Sequence, residues 1–300
     1  MAIPEFLIEK LAAQYGGELK NKILEGFSAK RKVTFRVNTL KATVEEIENV
    51  LKSENIEFEK VNWSNEAFVI KKAREEDIQR LDIYEEGKIY LQSLSSMLPP
   101  IVLNPQEGND ILDMAAAPGG KTTQMAALSN NKAHITACEM NNIRIEKLKY
   151  NVEKQGASCV YIMPKDSRQI DDFFSFDQIL LDSPCSGSGT LETDNINTEK
   201  YFTPKLVEKS TKSQYALLKK ALKILKPGHE MVYSTCSILK EENEEIVKKV
   251  LKEIKAEVIP IDFEGIDVLP ALPVSLDGTI CVMPTENYEG FYIAKIRRLK

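Results

Sequence analysis

Residues 111–122 read Ile111-Leu112-Asp113-Met114-Ala115-Ala116-Ala117-Pro118-Gly119-Gly120-Lys121-Thr122. A short apolar run ends in a carboxylate, small residues and a glycine pair come next, and a helix-forming stretch begins. Downstream the same rhythm repeats. Strand-like runs stand at Ile135-Thr136-Ala137-Cys138-Glu139, Val160-Tyr161-Ile162-Met163, Gln178–Leu181, Met231–Tyr233 and Phe291–Ile296. Helical stretches lie between them, such as Tyr215–Leu225, with Leu218, Leu222 and Leu225 on one face, and Ile246–Ile254. Strands alternating with helices predict an α/β fold with a parallel, doubly wound sheet. Ligands of such sheets bind at the carboxyl ends of the strands, so the loop after each strand carries the functional information.

The segment before this rhythm has a different character, and residues 1–90 are read as a small mixed α/β unit preceding a catalytic unit of residues 91–300. Thr43-Val44-Glu45-Glu46 is a capping box leading into a helix whose apolar face includes Ile47 and Leu51. Val33-Thr34-Phe35-Arg36-Val37 and Ala67-Phe68-Val69-Ile70 read as strands. Ser96-Met97-Leu98-Pro99-Pro100 breaks the pattern and marks the passage between the units. No internal repeat or low-complexity tract is found.

The chain of 300 residues is 43% hydrophobic and 28% charged, an ordinary globular composition. No apolar run approaches the roughly 18 residues that cross a bilayer. The start, MAIPEFLIEKLAAQYGG, carries acidic residues and lacks the pattern of a signal peptide. Cys138, Cys159, Cys185, Cys236 and Cys281 are odd in number and form no CxxC pair, which argues against a disulfide framework and a zinc site. A reducing cytoplasm is expected, with no metal and no membrane. The net charge of −5 does not announce a nucleic-acid binder. Residues 1–41 nevertheless carry eight Lys/Arg against four Glu, concentrated in Ala29-Lys30-Arg31-Lys32 and Arg36. A local basic patch of this kind can contact phosphates even on an acidic protein.

Three readings compete for the loop after the first strand. A Walker A loop needs GxxxxGK[ST]; Gly120-Lys121-Thr122 supplies its end, but Ala115 stands where the first glycine belongs. The GxGxxG of a dinucleotide site is missing. An S-adenosylmethionine site needs close backbone approach without a phosphate cradle, which small residues provide. Glu139, at the end of the second strand, suits hydrogen bonds to ribose hydroxyls. Asp166, in Lys165-Asp166-Ser167 after the third, suits an adenine amino group. A single acid is more often an exposed surface residue. Three at successive strand ends, beside a glycine loop, point to a nucleoside cofactor.

Two cysteines lie in polar loops on the same side: Cys185 in Asp182-Ser183-Pro184-Cys185-Ser186-Gly187-Ser188-Gly189, and Cys236 in Tyr233-Ser234-Thr235-Cys236-Ser237. The other three read as small buried apolar residues. A Cys–His hydrolase needs a histidine base. His134 and His229 both precede strands, at the far edge from the cysteines. A thiol beside S-adenosylmethionine fits another chemistry. Carbon 5 of cytosine is a poor nucleophile until a thiolate adds at carbon 6. That reaction calls for a thiolate, an acid and a base, and Asp182, Cys185 and Cys236 can supply much of that set.

With these stretches in view, the chain resembles the NOL1/NOP2/Sun (RsmB-like) RNA cytosine-5 methyltransferases. The resemblance rests on Asp113–Thr122, Asp182–Gly189 and Tyr233–Ser237 followed by Glu241-Glu242-Asn243-Glu244. It extends to Arg36-Val37-Asn38-Thr39-Leu40-Lys41 and Gly290-Phe291-Tyr292-Ile293-Ala294-Lys295. It implies a Rossmann-like catalytic domain and S-adenosylmethionine as cofactor. It also implies that Cys236 is the nucleophile, that Cys185 assists resolution of the covalent adduct, and that Asp182 reaches the target base. Ala115, Ala116, Ala117, Pro118, Gly119, Gly120, Lys121, Glu139, Asp166 and Asp182 are then expected to line the cofactor site, with Arg144 and Lys121 as further contacts. DNA cytosine-5 methyltransferases attack with the cysteine of a Pro-Cys motif, but their Glu-Asn-Val motif is missing here. The small N-terminal unit is expected to help bind RNA, with the target base flipped out. The chain reads as a monomer close to a minimal catalytic core, with transfer RNA slightly favoured over ribosomal RNA. A catalytically silent RNA-binding assembly factor is the alternative of a different class.

Overall fold

The computed structural model describes residues 3–193 and 201–300. The first part of the chain forms α1 (Glu5–Ser28), β1 (Thr34–Val37), α2 (Val44–Ser53), β2 (Phe58–Val61), β3 (Ser64–Ile70), α3 (Glu75–Gln79), α4 (Asp82–Glu85), β4 (Ile89–Leu91) and α5 (Leu94–Leu103). Next come β5 (Asp110–Asp113), α6 (Gly120–Leu128), β6 (His134–Glu139), α7 (Asn142–Lys154), β7 (Val160–Pro164), β8 (Phe176–Asp182), α8 (Pro204–Ile224), β9 (Leu225–Thr235) and α9 (Glu244–Leu251). Four strands close the chain: β10 (Ala256–Ile259), β11 (Ala271–Leu272), β12 (Ile280–Val282) and β13 (Phe291–Arg298).

The small sheet is antiparallel in the order β2-β3-β1-β4. The large sheet runs β11-β12-β13-β9-β8-β5-β6-β7, with β10 paired to β13. Its centre, from β9 to β7, is parallel, and β13 joins antiparallel. The expected α/β architecture is present, and each strand anticipated downstream of residue 108 lies within an observed strand. The central strands are apolar on both faces because helices cover both: Ile111, Leu112, Ile179, Leu180 and Leu181 are fully buried.

Local chemistry accounts for the helix starts. Thr43 Oγ1 accepts the Glu46 N–H while Glu46 Oε2 accepts the Thr43 N–H, closing the capping box of α2. α8 begins eleven residues earlier than its apolar face announces, because Thr203 caps it and Pro204 occupies its first position. It ends at Ile224, so Leu225 opens β9 rather than continuing the helix. Pro99 and Pro100 do not interrupt the structure as expected; both lie inside α5. A proline removes the donor to the carbonyl four residues earlier, and at Ser96 the Gln92 side chain donates to that carbonyl instead, at 3.0 Å.

The periodicity did not reveal α1. It packs with the large sheet, not with the small one it precedes: Leu7, Leu11, Ile23 and Phe27 share a core with Leu112, Leu181, Tyr233 and Tyr292. Tyr15 Oη donates to the Ile238 carbonyl at 2.6 Å and Gln14 Nε2 to the same oxygen at 3.0 Å. The first helix thus anchors the segment directly after Cys236.

Arg36 corrects a second expectation. It is only 3% exposed, so it is no part of a phosphate-binding surface. Its Nε donates to Gln92 Oε1 at 2.9 Å and its Nη2 to Thr123 Oγ1 at 2.8 Å and the Gly120 carbonyl at 3.2 Å. Asn38 Nδ2 donates to the carbonyls of Gly87 and Gln155 at 2.8 Å each. The Arg36–Lys41 stretch is therefore a clamp between the small sheet and the helices of the large one. Burial pulls the Arg36 guanidinium down to about 10. Replacing Arg36 by Ala strands several buried acceptors and is expected to lower unfolding stability by about 2 kcal/mol. Urea titration checks the stability.

Candidate active site

The site forms where the strand order reverses. β5 pairs with β6 on one side and β8 on the other, so the chain travels out to β7 and returns beside its starting strand. The loops after β5 and β8 consequently diverge and leave a crevice at the carboxyl edge. Met114 N–H bonds the Leu180 carbonyl at 3.0 Å and Ser183 N–H the Ser234 carbonyl at 2.8 Å, carrying the sheet ladder to the rim of that crevice.

Two cavities open there and meet at Ala115. The first, of about 600 Å³, is walled by Ala115, Glu139, Arg144, Asp166 and Pro184, together with α8 residues Lys209, Lys212, Ser213 and Leu217. Glu139 is 5% exposed. Its Oε1 accepts the Met140 and Asn141 N–H groups at 2.9 Å each, and its Oε2 lies 3.2 Å from Arg144 Nη1. Arg144 also donates to the Ala117 carbonyl, tying the second strand's acid to the first strand's loop. Asp166 faces Arg168 in a forked pair, Nη2 to Oδ2 at 2.6 Å, and this guanidinium holds its carboxyl below the usual range. The volume suits a small-molecule ligand, and the two oriented carboxylates suit its hydroxyl or amino groups.

The second cavity, of about 360 Å³, is walled by Ala115, Ala116, Ala117, Pro118, Gly120, Lys121, Asp182 and Cys236. Asp182 Oδ2 is 2.7 Å from Lys121 Nζ, and its Oδ1 accepts from Ser234 Oγ at 2.8 Å. Lys121 Nζ donates further to Ser96 Oγ at 2.6 Å and stands 5.4 Å from the Phe291 ring centroid. The residues expected at one cofactor site are thus divided: Glu139, Arg144 and Asp166 line the first cavity, the loop after β5 lines the second, and Ala115 lines both. Gly119 has φ +109° at the start of α6, where a Cβ would press on Leu148, so its part is to shape the turn.

The two thiols lie 3.1 Å apart, and both cysteines are partly buried and free. Cys236 lines the second cavity. The hydrogen bond with Cys236, burial, and the nearby charge of Glu242 hold the Cys185 thiol well above its ordinary range. Gly189 must be glycine, since a Cβ there would overlap the Gly290 carbonyl, while its N–H donates to the Cys236 carbonyl at 3.0 Å. Sequence reasoning missed Tyr90, Ser96, Thr190 and Glu289, which also wall the second cavity. It missed the α8 wall of the first as well. They carry no motif, and only the docking of remote segments brings them in.

Asp113, at the end of β5, is 1% exposed and accepts from Thr122 Oγ1 at 2.7 Å. Burial pushes its carboxyl up from 3.8 to about 6. The folded chain therefore takes up this proton at higher pH than the unfolded chain, and stability falls as pH rises between the two values. The lost contribution is about 3 kcal/mol above pH 6. Asp113→Asn lacks this step, so its stability relative to wild type should rise by about that amount from pH 4 to pH 7. Denaturation curves of both proteins across this range measure it.

Comparison with known proteins identifies the family. Residues 100–297 match the family model "16S rRNA methyltransferase RsmB/F", and residues 3–76 match the ferredoxin-like domain of RsmF/B-like methyltransferases. Ribosomal RNA small subunit methyltransferase F of Shewanella oneidensis is 33% identical over 276 residues, covering 89% of this chain and 57% of that protein. Its counterpart from Shewanella loihica is 34% identical over 275 residues, covering 89% and 56%. The chain thus spans little more than half the length of these relatives. A crystal structure of a methyltransferase homolog protein from Pyrococcus horikoshii aligns with a TM-score of 0.83 at 32% identity, covering 98% of this chain and 99% of that one. The fold is shared too by NSun6 from the same organism, solved with SFG, at TM-score 0.85 and 24% identity, covering 99% and 98%. The family-model match over residues 100–297 and the similarity of these relatives place the chain in the RsmB/F methyltransferase family.

Proposed function

We propose that this chain methylates carbon 5 of a cytosine in RNA, using S-adenosylmethionine, through a covalent bond between Cys236 and carbon 6. The observation that carries this reading is that Cys236 and Asp182 share the wall of a cavity that meets the larger cleft at Ala115. Membership of the RsmB/F family supports methyl transfer to RNA. When bound, S-adenosylmethionine supplies a methyl group on a sulfonium, which is electrophilic without further activation. Glu139 would hold its ribose hydroxyls and Asp166 its adenine amino group, with Arg144 keeping Glu139 in place. Ala115, between the cavities, has no side chain long enough to separate donor from acceptor.

The residues of the second cavity divide the remaining work. Asp182 accepts from the exocyclic amino group of cytosine, or when protonated donates to N3, and Lys121 beside it orients the carboxyl. The Cys236 thiolate adds to carbon 6, which raises electron density at carbon 5, and carbon 5 takes the methyl group. Loss of the carbon 5 proton to a base then lets the carbon 6–sulfur bond break and returns Cys236 as thiolate. Cys185, 3.1 Å from that sulfur, sits where the bond breaks and assists release.

The division into a small RNA-contacting unit, residues 1–90, and a catalytic unit, residues 91–300, is part of this reading. Lys30 is exposed and lies with Lys32, Lys71 and Lys72 along one groove that Glu75, Glu76 and Glu286 also line. Transfer RNA was favoured on chain length alone, whereas the Shewanella relatives are named for small-subunit ribosomal RNA. Small-subunit ribosomal RNA is therefore the substrate we propose, modified by a cytoplasmic monomer. Among the described residues no helix is long and apolar enough to cross a membrane.

Labelled S-adenosylmethionine with unmodified ribosomal and transfer RNA tests the reading. Wild type is expected to form 5-methylcytidine, Cys236→Ala to be inert, and Cys185→Ala to accumulate a denaturant-resistant protein–RNA adduct. Normal methylation by Cys236→Ala would reopen Cys185 as nucleophile, and failure of every RNA would favour a silent binding factor. Methylation of transfer RNA alone would overturn the ribosomal assignment.

A further inference from the structure

Glu242 is fully buried, 0% exposed, and takes no part in the methyl-transfer steps. Its Oε1 accepts from the Ser186 N–H at 2.8 Å and from Gln214 Nε2 at 3.1 Å. Its Oε2 accepts from Ser186 Oγ at 2.5 Å and from Ser237 Oγ at 2.6 Å. All four donors are neutral. Ser186 comes directly after Cys185, and Ser237 directly after Cys236. Ser237 is further bound to Ser188 Oγ at 2.8 Å, and Ser188 Oγ accepts the Ile238 N–H at 3.0 Å, so the two loops are laced together around this carboxylate.

We propose that Glu242 is the positioning residue of the cysteine pair: its carboxylate ties the Cys185 loop to the Cys236 loop and so decides which sulfur faces the target base. The inference rests on the proposed covalent mechanism for its meaning, but not for its geometry. Burying a carboxylate without a cation costs several kcal/mol unless hydrogen bonds repay it; here Oε2 alone joins the two loops, through Ser186 Oγ and Ser237 Oγ, while Oε1 takes the Ser186 N–H and Gln214. An amide has one acceptor oxygen and cannot serve all four donors in the same way. The carboxylate has a second effect. Among the described residues, the titratable groups that raise the Cys185 thiol are Cys236 and Glu242, neither of them a cation. A fixed negative charge there opposes a second anion. Cys185 stays a thiol with a proton to give or exchange, while Cys236, facing the cavity, is the sulfur that attacks.

The test tracks alkylation of each thiol by iodoacetamide against pH, without RNA, resolved by peptide mass spectrometry. In wild type the reaction midpoint of Cys185 should lie above that of a thiol in a small peptide. In Glu242→Gln, which removes the charge and one carboxylate acceptor, Cys185 at pH 8 should react about threefold faster, half a unit of midpoint. The same variant should turn over more slowly with an unchanged KM for S-adenosylmethionine. A Cys185 midpoint that is unmoved in the folded variant overturns the proposal. So does a wild-type Cys185 that titrates like the peptide thiol, which decides the matter even if Glu242→Gln fails to fold. Because RNA is absent, this result is independent of whether cytosine is the substrate; failure of methyl transfer to every RNA would instead reject the functional reading.

Discussion

The reversal of strand order between β5 and β8 is the constraint on which the site depends. Parallel strands need crossover helices, and helices can cover both faces of the sheet only if the chain winds outward in one direction and then the other. The place where it turns back has no helix over the strand ends, so two loops part there and leave space. Each element of the candidate site lies on that edge: the small-residue loop after β5, Glu139 at the end of β6, Asp166 after β7, Asp182 at the end of β8 with Cys185 following, and Cys236 after β9. The cavities are a consequence of topology before they are a consequence of side chains.

Topology leaves the loops where they are needed but does not hold them still. That task falls to elements far away in the chain. α1 donates through Tyr15 and Gln14 to Ile238, next to the Cys236 loop. Arg36 reaches from the small sheet to Gly120 and Thr123 at the start of α6, on either side of Lys121 in the chain. The small sheet thus contributes to the geometry of the cavity as well as offering a surface. A buried guanidinium with neutral acceptors is a costly way to fasten two units, but its planar fork binds three partners in fixed directions, which a lysine could not.

The two cysteines illustrate how identical side chains acquire different surroundings. Their sulfurs are in contact, so distance to a substrate separates them less than environment does. Cys236 faces the open cavity with the Lys121–Asp182 pair. Cys185 faces its neighbour thiol and a buried carboxylate, and is held as a thiol. Burial and a like charge act in the same direction on an acid, raising the cost of its anion.

Much of this was legible in the amino-acid order. Strand-period and helix-period patterns are local, so the alternating elements, the capping box at Thr43 and the strand-end acids could be read from residues close in the chain. Of the site residues named from sequence, Gly119 and Cys185 line neither cavity: Gly119 shapes the turn, and Cys185 lies against Cys236. What the sequence did not disclose depends on contacts between segments dozens to hundreds of positions apart. Arg36 read as part of a basic patch, yet it is enclosed, because burial is decided by what packs over a strand and not by the strand. Pro99 and Pro100 read as a break, yet Gln92 satisfies the carbonyl that Pro100 leaves without its donor. Glu242 read as one acid among several, and its partner Ser186 stands 56 positions away. Which sulfur faces the cavity, which loop residues line which cavity, and which carboxylate joins the loops were settled only when the chain closed on itself.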